Sequence, residues 1–122
     1  MSPITLKSLT RQPIDAILPN LVQLVALNGG WLLEHKPASP TSVELDLDLR
    51  LRSVFEIYSA LLASGLELTR DAHLTLVGCC ASLWHTESTL ALDRAVSFRL
   101  EIRYVATLTP AFIASAQFRY LA

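Results

Sequence analysis

Cysteine is scarce in this chain of 122 residues, which has only Cys79 and Cys80, adjacent in the sequence. A disulfide between neighbouring residues closes a strained ring and joins no distant parts of a fold. A disulfide framework is therefore excluded, and a reducing compartment suits the chain.

Long apolar runs are also lacking. The most apolar stretch, residues 21–33, is broken by Gln23, Asn28 and two glycines, and a membrane-spanning helix needs about 18 continuous apolar residues. Residues 1–13 lack the apolar region and the small-residue cleavage site of a secretory signal. We therefore expect a cytoplasmic protein with no membrane contact.

Charged residues make up only 17% of the chain and nearly cancel, to a net charge of −1. No basic stripe is present that would neutralise nucleic-acid phosphates, so nucleic-acid binding is not expected. The hydrophobic fraction is 52%, and a small domain buries only around two thirds of the surface that its unfolded chain exposes. This apolar surplus predicts a partner, and the simplest partner is a second copy of the chain.

Two segments, residues 43–52 and 96–104, alternate between apolar and polar side chains. A period of two is typical of a strand with one buried face and one solvated face. The polar positions carry complementary charges in the two segments. Pairing of these strands side by side therefore predicts cross-strand ion pairs.

Helical periodicity marks the stretch of residues 13–30, which ends in Asn28, Gly29 and Gly30, and a second helix over about residues 54–64. Pro19 either kinks the first helix or begins its main part. Ser53 and Glu56 have the spacing of a capping box at the start of the second helix, and Gly65 provides its C-terminal stop. The apolar residues at helical spacing are Ile14, Ile17, Leu18, Leu21, Val22 and Val25 in the first helix, and Val54, Ile57, Tyr58, Leu61 and Leu62 in the second.

Short strands are expected over residues 2–9 and 30–37, so the element order begins β, α, β, β, α. This order predicts a single α+β domain over residues 1–122, with a two-layer antiparallel sheet and helices on one face. It indicates a ferredoxin-like (split βαβ) variant, completed by the strand near residue 96 returning beside the first strand. An extra helix before that strand and a C-terminal helix beginning at Thr109 and Pro110 complete the expected fold.

The segment from residue 69 to 87 is ambiguous. A strand in which Leu74 and Leu76 alternate fits part of it. We expect a helix from the N-cap Thr69 to about residue 79, followed by a strand over 81–87 that pairs with the strand near 96. The helical stripe consists of Ala72, Leu76, Cys79, Cys80 and Leu83.

His73, Cys79, Cys80 and His85 are the weak candidates for a catalytic site, because one thiol beside one histidine suffices for nucleophilic catalysis. No local sequence signature surrounds them. Adjacent cysteines point in different directions and chelate one ion poorly, so neither a metal nor a cofactor is expected. Burial of the two cysteines as small hydrophobic residues is favoured.

Two hypotheses of different class follow. The first is a non-enzymatic, self-associating α+β module with a structural, scaffold or ligand-sensing role, present as a dimer or larger homo-oligomer. The alternative is a small enzyme or ligand-binding protein with a pocket near Cys79 and Cys80 and near Trp31 and Trp84. The sequence does not indicate a ligand or a biological process.

Overall fold

A computed structural model describes residues 3–84 and 92–105. Within these ranges the chain forms five strands and three α-helices, together with a short 3-10 turn at Leu51–Ser53. The elements in chain order are β1 (Ile4–Thr10), α1 (Ile14–Leu27), β2 (Gly30–Ser39), β3 (Ser42–Arg50), α2 (Val54–Ala63), β4 (Glu67–Leu68), α3 (Arg70–Trp84) and β5 (Ala95–Tyr104). No helix in the described ranges is long and apolar enough to cross a membrane.

The five strands form one mixed sheet in the order β2-β3-β5-β1-β4. β1 and β5 are parallel, whereas the other three neighbouring pairs are antiparallel. The last strand does lie beside the first, as predicted, but the prediction of an antiparallel sheet is wrong. β5 enters between β1 and β3, which run in opposite directions, so it must be parallel to one of them. The ferredoxin-like arrangement is therefore not confirmed.

The hydrophobic core lies on one face of the sheet and is covered by the three helices, which makes a two-layer α+β fold. Phe98 and Leu100 of β5 lie in register with Leu47 and Leu45 of β3. Strand alternation directs all four side chains to the same face, as the sequence predicts. The helices contribute Ile17, Leu21, Val25, Val54, Ile57, Leu61, Ala72 and Leu76 to this core.

The other face of the sheet carries the alternating charges. Asp46 of β3 lies opposite Arg99 of β5, and Arg99 Nε donates to Asp46 Oδ1 at 2.9 Å. This hydrogen bond and the guanidinium charge lower the pKa of the Asp46 carboxyl. Ser97 Oγ donates to Asp48 Oδ1 at 2.6 Å on the same two strands. The predicted pairing of these strands, with a cross-strand ion pair, is confirmed.

The C-terminal ends of α1 and α2 agree with the sequence predictions, whereas the start of α2 does not. Gly29 and Gly65, which follow the two helices, have positive φ values of 82° and 95°, the conformation that glycine adopts at low cost. The capping box predicted at Ser53 is wrong, because this residue ends the 3-10 turn with φ −96° and ψ −3° and makes no side-chain cap bond. Pro19 lies inside α1 and not at its first position.

α3 is longer than expected, since it continues to Trp84, and the prediction of a strand from residue 81 is wrong there. No glycine or proline follows Gly78 in this segment to end the helix. Strand β4, which pairs Leu68 with Ser8, was not predicted because two residues carry no periodicity. Residues 85–87 of the expected strand and the expected C-terminal helix lie outside the described residues.

Candidate functional site

His73 is buried between α2 and α3, with 2% of its surface exposed. Its Nδ1 lies 2.7 Å from the hydroxyl oxygen of Tyr58, and the two rings meet edge to face with centroids 5.8 Å apart. Burial lowers the pKa of His73, which favours the neutral imidazole. With its proton on Nε2, that imidazole accepts the Tyr58 hydroxyl hydrogen at Nδ1. The sequence placed His73 a step off the apolar stripe and did not reveal this partner.

The N-terminal cap of α3 positions His73. The backbone N–H of Ala72 donates to Thr69 Oγ1 at 3.2 Å, and the N–H of His73 donates to the carbonyl oxygen of Thr69 at 3.0 Å. The bond to Thr69 Oγ1 satisfies an N–H group that the first turn of a helix would otherwise leave unpaired, and the bond to the Thr69 carbonyl is the first backbone bond of α3. The prediction of Thr69 as the N-cap is confirmed, and the cap fixes the turn from which His73 reaches Tyr58.

Cys79 and Cys80 are free thiols, half-buried and packed against the edge of the core. Burial raises the pKa of both thiols, and for Cys80 the nearby Cys79 and Glu56 raise it further. A nucleophilic cysteine needs the opposite shift, because the thiolate is the reactive form. The surroundings of these thiols therefore give no support to cysteine catalysis at neutral pH.

Tyr58, His73 and Cys80 form the cluster of polar groups that joins α2 to α3. Burial, together with the neighbouring Cys80, raises the pKa of the Tyr58 hydroxyl. All three groups are therefore held in their neutral forms. Chemically, the cluster provides one hydrogen bond that fixes α2 against α3, and it presents no charged acid or base to a substrate.

Trp31, one of the two aromatic residues of the alternative pocket, is not brought to the cysteines. Trp31 pairs in register with Asp48 on the outer face of the sheet, where 41% of its surface is exposed. Cys79 and Cys80 pack on the core face instead. His85 and the side chain of Trp84 lie outside the described residues.

A hollow of about 550 Å³ lies elsewhere, between α1 and the end of α2, and its lining includes Gln23, Leu24 and Ser64. Its lining residues carry amide, hydroxyl and alkyl groups and no ionisable side chain, so they provide no acid–base chemistry. Among the described residues, no group of three or more His, Cys, Asp or Glu side chains is arranged to hold a metal ion.

The solvent-facing side of α2 and α3 carries four exposed large apolar side chains, which together we call the helix face. Phe55 and Leu62 of α2 are 57% and 43% exposed, and Leu74 and Val77 of α3 are 52% and 46% exposed. Residues three, four or seven apart share one side of a helix. Phe55 and Leu62 therefore lie on one side of α2, and Leu74 and Val77 on one side of α3.

The spacing of these residues from Tyr58 and His73 indicates how the apolar side of α2 lies relative to the apolar side of α3. Tyr58 is three residues from Phe55 and four from Leu62, while His73 is four residues from Val77. The Tyr58–His73 hydrogen bond marks where the two helices meet. Phe55, Leu62 and Val77 therefore lie beside the seam between α2 and α3, and Leu74 lies on the same side of α3 as Val77.

The edges of the sheet are poorly suited to pairing with another chain. β2, one outer strand, contains Pro37, which has no N–H to donate, and its register shifts between Leu32 and Glu34 and again between Pro37 and Ser39. It also carries Lys36 beside Glu34, with Nζ and Oε2 3.4 Å apart. Prolines, bulges and charges are the features by which natural edge strands avoid pairing. The other outer strand, β4, has only two residues.

Protonation of His73 is expected to destabilise the fold in mild acid. Burial lowers its pKa below the ordinary value of 6.5, so near neutral pH the unfolded chain binds this proton more readily than the folded chain. The free energy of unfolding should therefore fall as the pH decreases from 6.5 through the folded pKa, and the contribution should be fully present above 6.5.

Urea denaturation of His73→Gln between about pH 5 and pH 8 checks this expectation. The variant keeps an acceptor for Tyr58 but cannot titrate, so the slope of stability against pH should flatten. His35→Gln is the matched control, because His35 is exposed on β2. An unchanged slope in His73→Gln would contradict the buried, neutral assignment.

The chain matches no protein-family model, no curated protein sequence and no solved structure, so its function must be argued from this geometry.

Proposed function

We propose that this protein is a non-enzymatic module that associates with further copies of itself. The observation that carries the proposal is the helix face, where Phe55, Leu62, Leu74 and Val77 expose apolar surface on two adjoining helices. Clustered exposed apolar side chains are typical of interaction sites, whereas single ones are ordinary. The low charge content of the chain, 17%, supports the same proposal.

Two further observations support contact through the helices and a non-enzymatic role. The proline, the bulges and the charges of β2 disfavour extension of the sheet by another chain. The Tyr58–His73 pair is neutral and its histidine is buried, and the raised pKa values of Cys79 and Cys80 disfavour a thiolate. An apolar contact between copies needs neither an acid, a base nor a nucleophile.

Sedimentation equilibrium of the unsubstituted chain and of a double variant, Leu62→Ser with Leu74→Ser, tests the proposal. Burying a leucine fully contributes about 1.5–3 kcal/mol, and about 1.4 kcal/mol changes a dissociation constant tenfold. We expect an oligomer whose dissociation constant increases by about a hundredfold or more in the double variant.

The matched control is Leu27→Ser with Leu33→Ser, since these leucines are 73% and 56% exposed on other elements. This control should associate like the unsubstituted chain. A parent chain that stays monomeric at every accessible concentration would overturn the proposed function. If both double variants weaken association equally, the helix face is not the surface through which the copies associate.

A further inference from the structure

We propose that the peptide between Asn28 and Gly29 is a site of spontaneous deamidation that the closed fold blocks, so that this modification marks chains in which the junction of α1 and β2 has opened. Asparagine amides are chemically labile, and glycine, which has no side chain, leaves its own backbone nitrogen unshielded. The chain contains two asparagines, and only Asn28 precedes a glycine, since Asn20 precedes Leu21.

The reaction needs no reagent other than water. The backbone nitrogen of Gly29 attacks Cγ of Asn28, a five-membered succinimide ring forms, and the side-chain amide leaves as ammonia with the proton from the Gly29 N–H. Water then opens the ring at either carbonyl. The product is aspartate, or isoaspartate, in which the main chain continues through the side-chain carboxyl group.

Three features of the structure keep the two reacting atoms apart. Asn28 Nδ2 donates to the carbonyl oxygen of Leu24 at 2.7 Å, so the side chain points back along α1, whereas Gly29 follows it. The N–H of Gly29 donates to the carbonyl oxygen of Ala26 at 3.4 Å, so its hydrogen is engaged. The ψ of Asn28 is 20°, which nearly eclipses the Gly29 nitrogen with the Asn28 nitrogen. The ring closes only when Cβ takes that eclipsed place.

The packing of Gly30 holds this conformation in place. Gly30 is buried, and a Cβ on it would collide with Leu49 and lie close to Val25. The backbone just after Asn28 is therefore packed tightly between β3 and α1. Because rotation of the Asn28 ψ requires this junction to open, the rate of deamidation follows the population of the opened state.

The products fit the closed fold less well than Asn28 does. Aspartate replaces the Nδ2 donor by an acceptor opposite the carbonyl oxygen of Leu24. It also places a negative charge at the C-terminal end of α1, where the helix dipole opposes it. Isoaspartate lengthens the main chain immediately before Gly29 and Gly30, where the packing leaves no space. Deamidation is therefore a one-way step, because it disfavours closing of the junction afterwards.

Incubation of the full chain in mildly alkaline buffer, with and without denaturing guanidinium chloride, tests the proposal by peptide mass spectrometry. We expect residue 28 to lose its amide at least about tenfold faster in the denaturant, because the native chain reacts only through its opened state. Asn20 is the internal control, since the side chain of Leu21 shields the nitrogen that follows it. Asn20 should keep its amide in both buffers.

Gly30→Ala should accelerate amide loss in native buffer, because it crowds the junction, whereas the same substitution at Gly78, inside α3, should not. Asn28→Asp supplies the aspartate product directly and should unfold at a lower urea concentration than the parent chain. Equal rates at residue 28 in native and denaturing buffer would overturn the block by the fold. A residue 28 that keeps its amide in the denatured chain would overturn the site itself, and an Asn28→Asp variant as stable as the parent would overturn the one-way step.

Discussion

Replacing Phe98 by alanine is expected to lower the free energy of unfolding by about 3–5 kcal/mol, as measured by urea denaturation. Phe98 is 0% exposed and lies on β5 between its register partners Leu47 of β3 and Ile4 of β1. Truncation removes the transfer free energy of the ring and leaves a cavity that two flanking strands cannot close. Phe98→Leu keeps most of the volume and should cost less.

Phe55→Ala is the matched control for Phe98→Ala, because it deletes the same atoms from a side chain that is 57% exposed. In dilute protein it should change the unfolding free energy by less than about 0.5 kcal/mol. Equal losses in the two variants would contradict the assignment of the core to the face of the sheet that carries Phe98.

Replacing Gly30 by alanine is expected to destabilise the protein by about 1–3 kcal/mol through overpacking. Gly30 begins β2 against the end of α1. A Cβ there would meet Val25 Cγ1 at 2.9 Å and would collide with the Leu49 side chain. Val25 and Leu49 are both buried, so neither has free space into which to move.

Gly78→Ala provides a control of opposite sign. A Cβ on Gly78, inside α3, would meet nothing within 4 Å, and alanine is favoured over glycine in a helix by about 0.5–1 kcal/mol. Thermal or urea denaturation should therefore show stabilisation by Gly78→Ala and destabilisation by Gly30→Ala. A neutral Gly30→Ala would contradict the close approach of α1, β2 and β3.

Local pattern predicted most of the elements but not how they assemble. The strands containing Leu47 and Phe98 and the helix containing Ile57 each bury one face, so their periodicity records where the core lies. The position of β5 between β1 and β3 depends on pairing between residues far apart in the chain, and alternation alone carries no information about that choice. The C-terminal end of α3 at Trp84 was not predicted, because the ends of helices depend on weak local stop signals.

The candidate site likewise combines features that local pattern predicted with a contact that it did not predict. The helical stripe correctly predicted that Cys79 and Cys80 pack as small hydrophobic residues, because one helix determines their direction. The Tyr58–His73 hydrogen bond joins two helices and could not be predicted without knowing that α2 and α3 pack together. The available signal was a tyrosine on the apolar side of α2 and a histidine four residues after the cap Thr69.

The most direct test of the central claim, association through the helix face, is native mass spectrometry of the unsubstituted chain beside the variant Leu62→Ser with Leu74→Ser. The account predicts a species of twice the 13.4 kDa chain mass for the parent and a single chain for the variant. A parent spectrum showing only one chain at every concentration would contradict the account, as would a single chain carrying the added mass of a tightly bound small molecule.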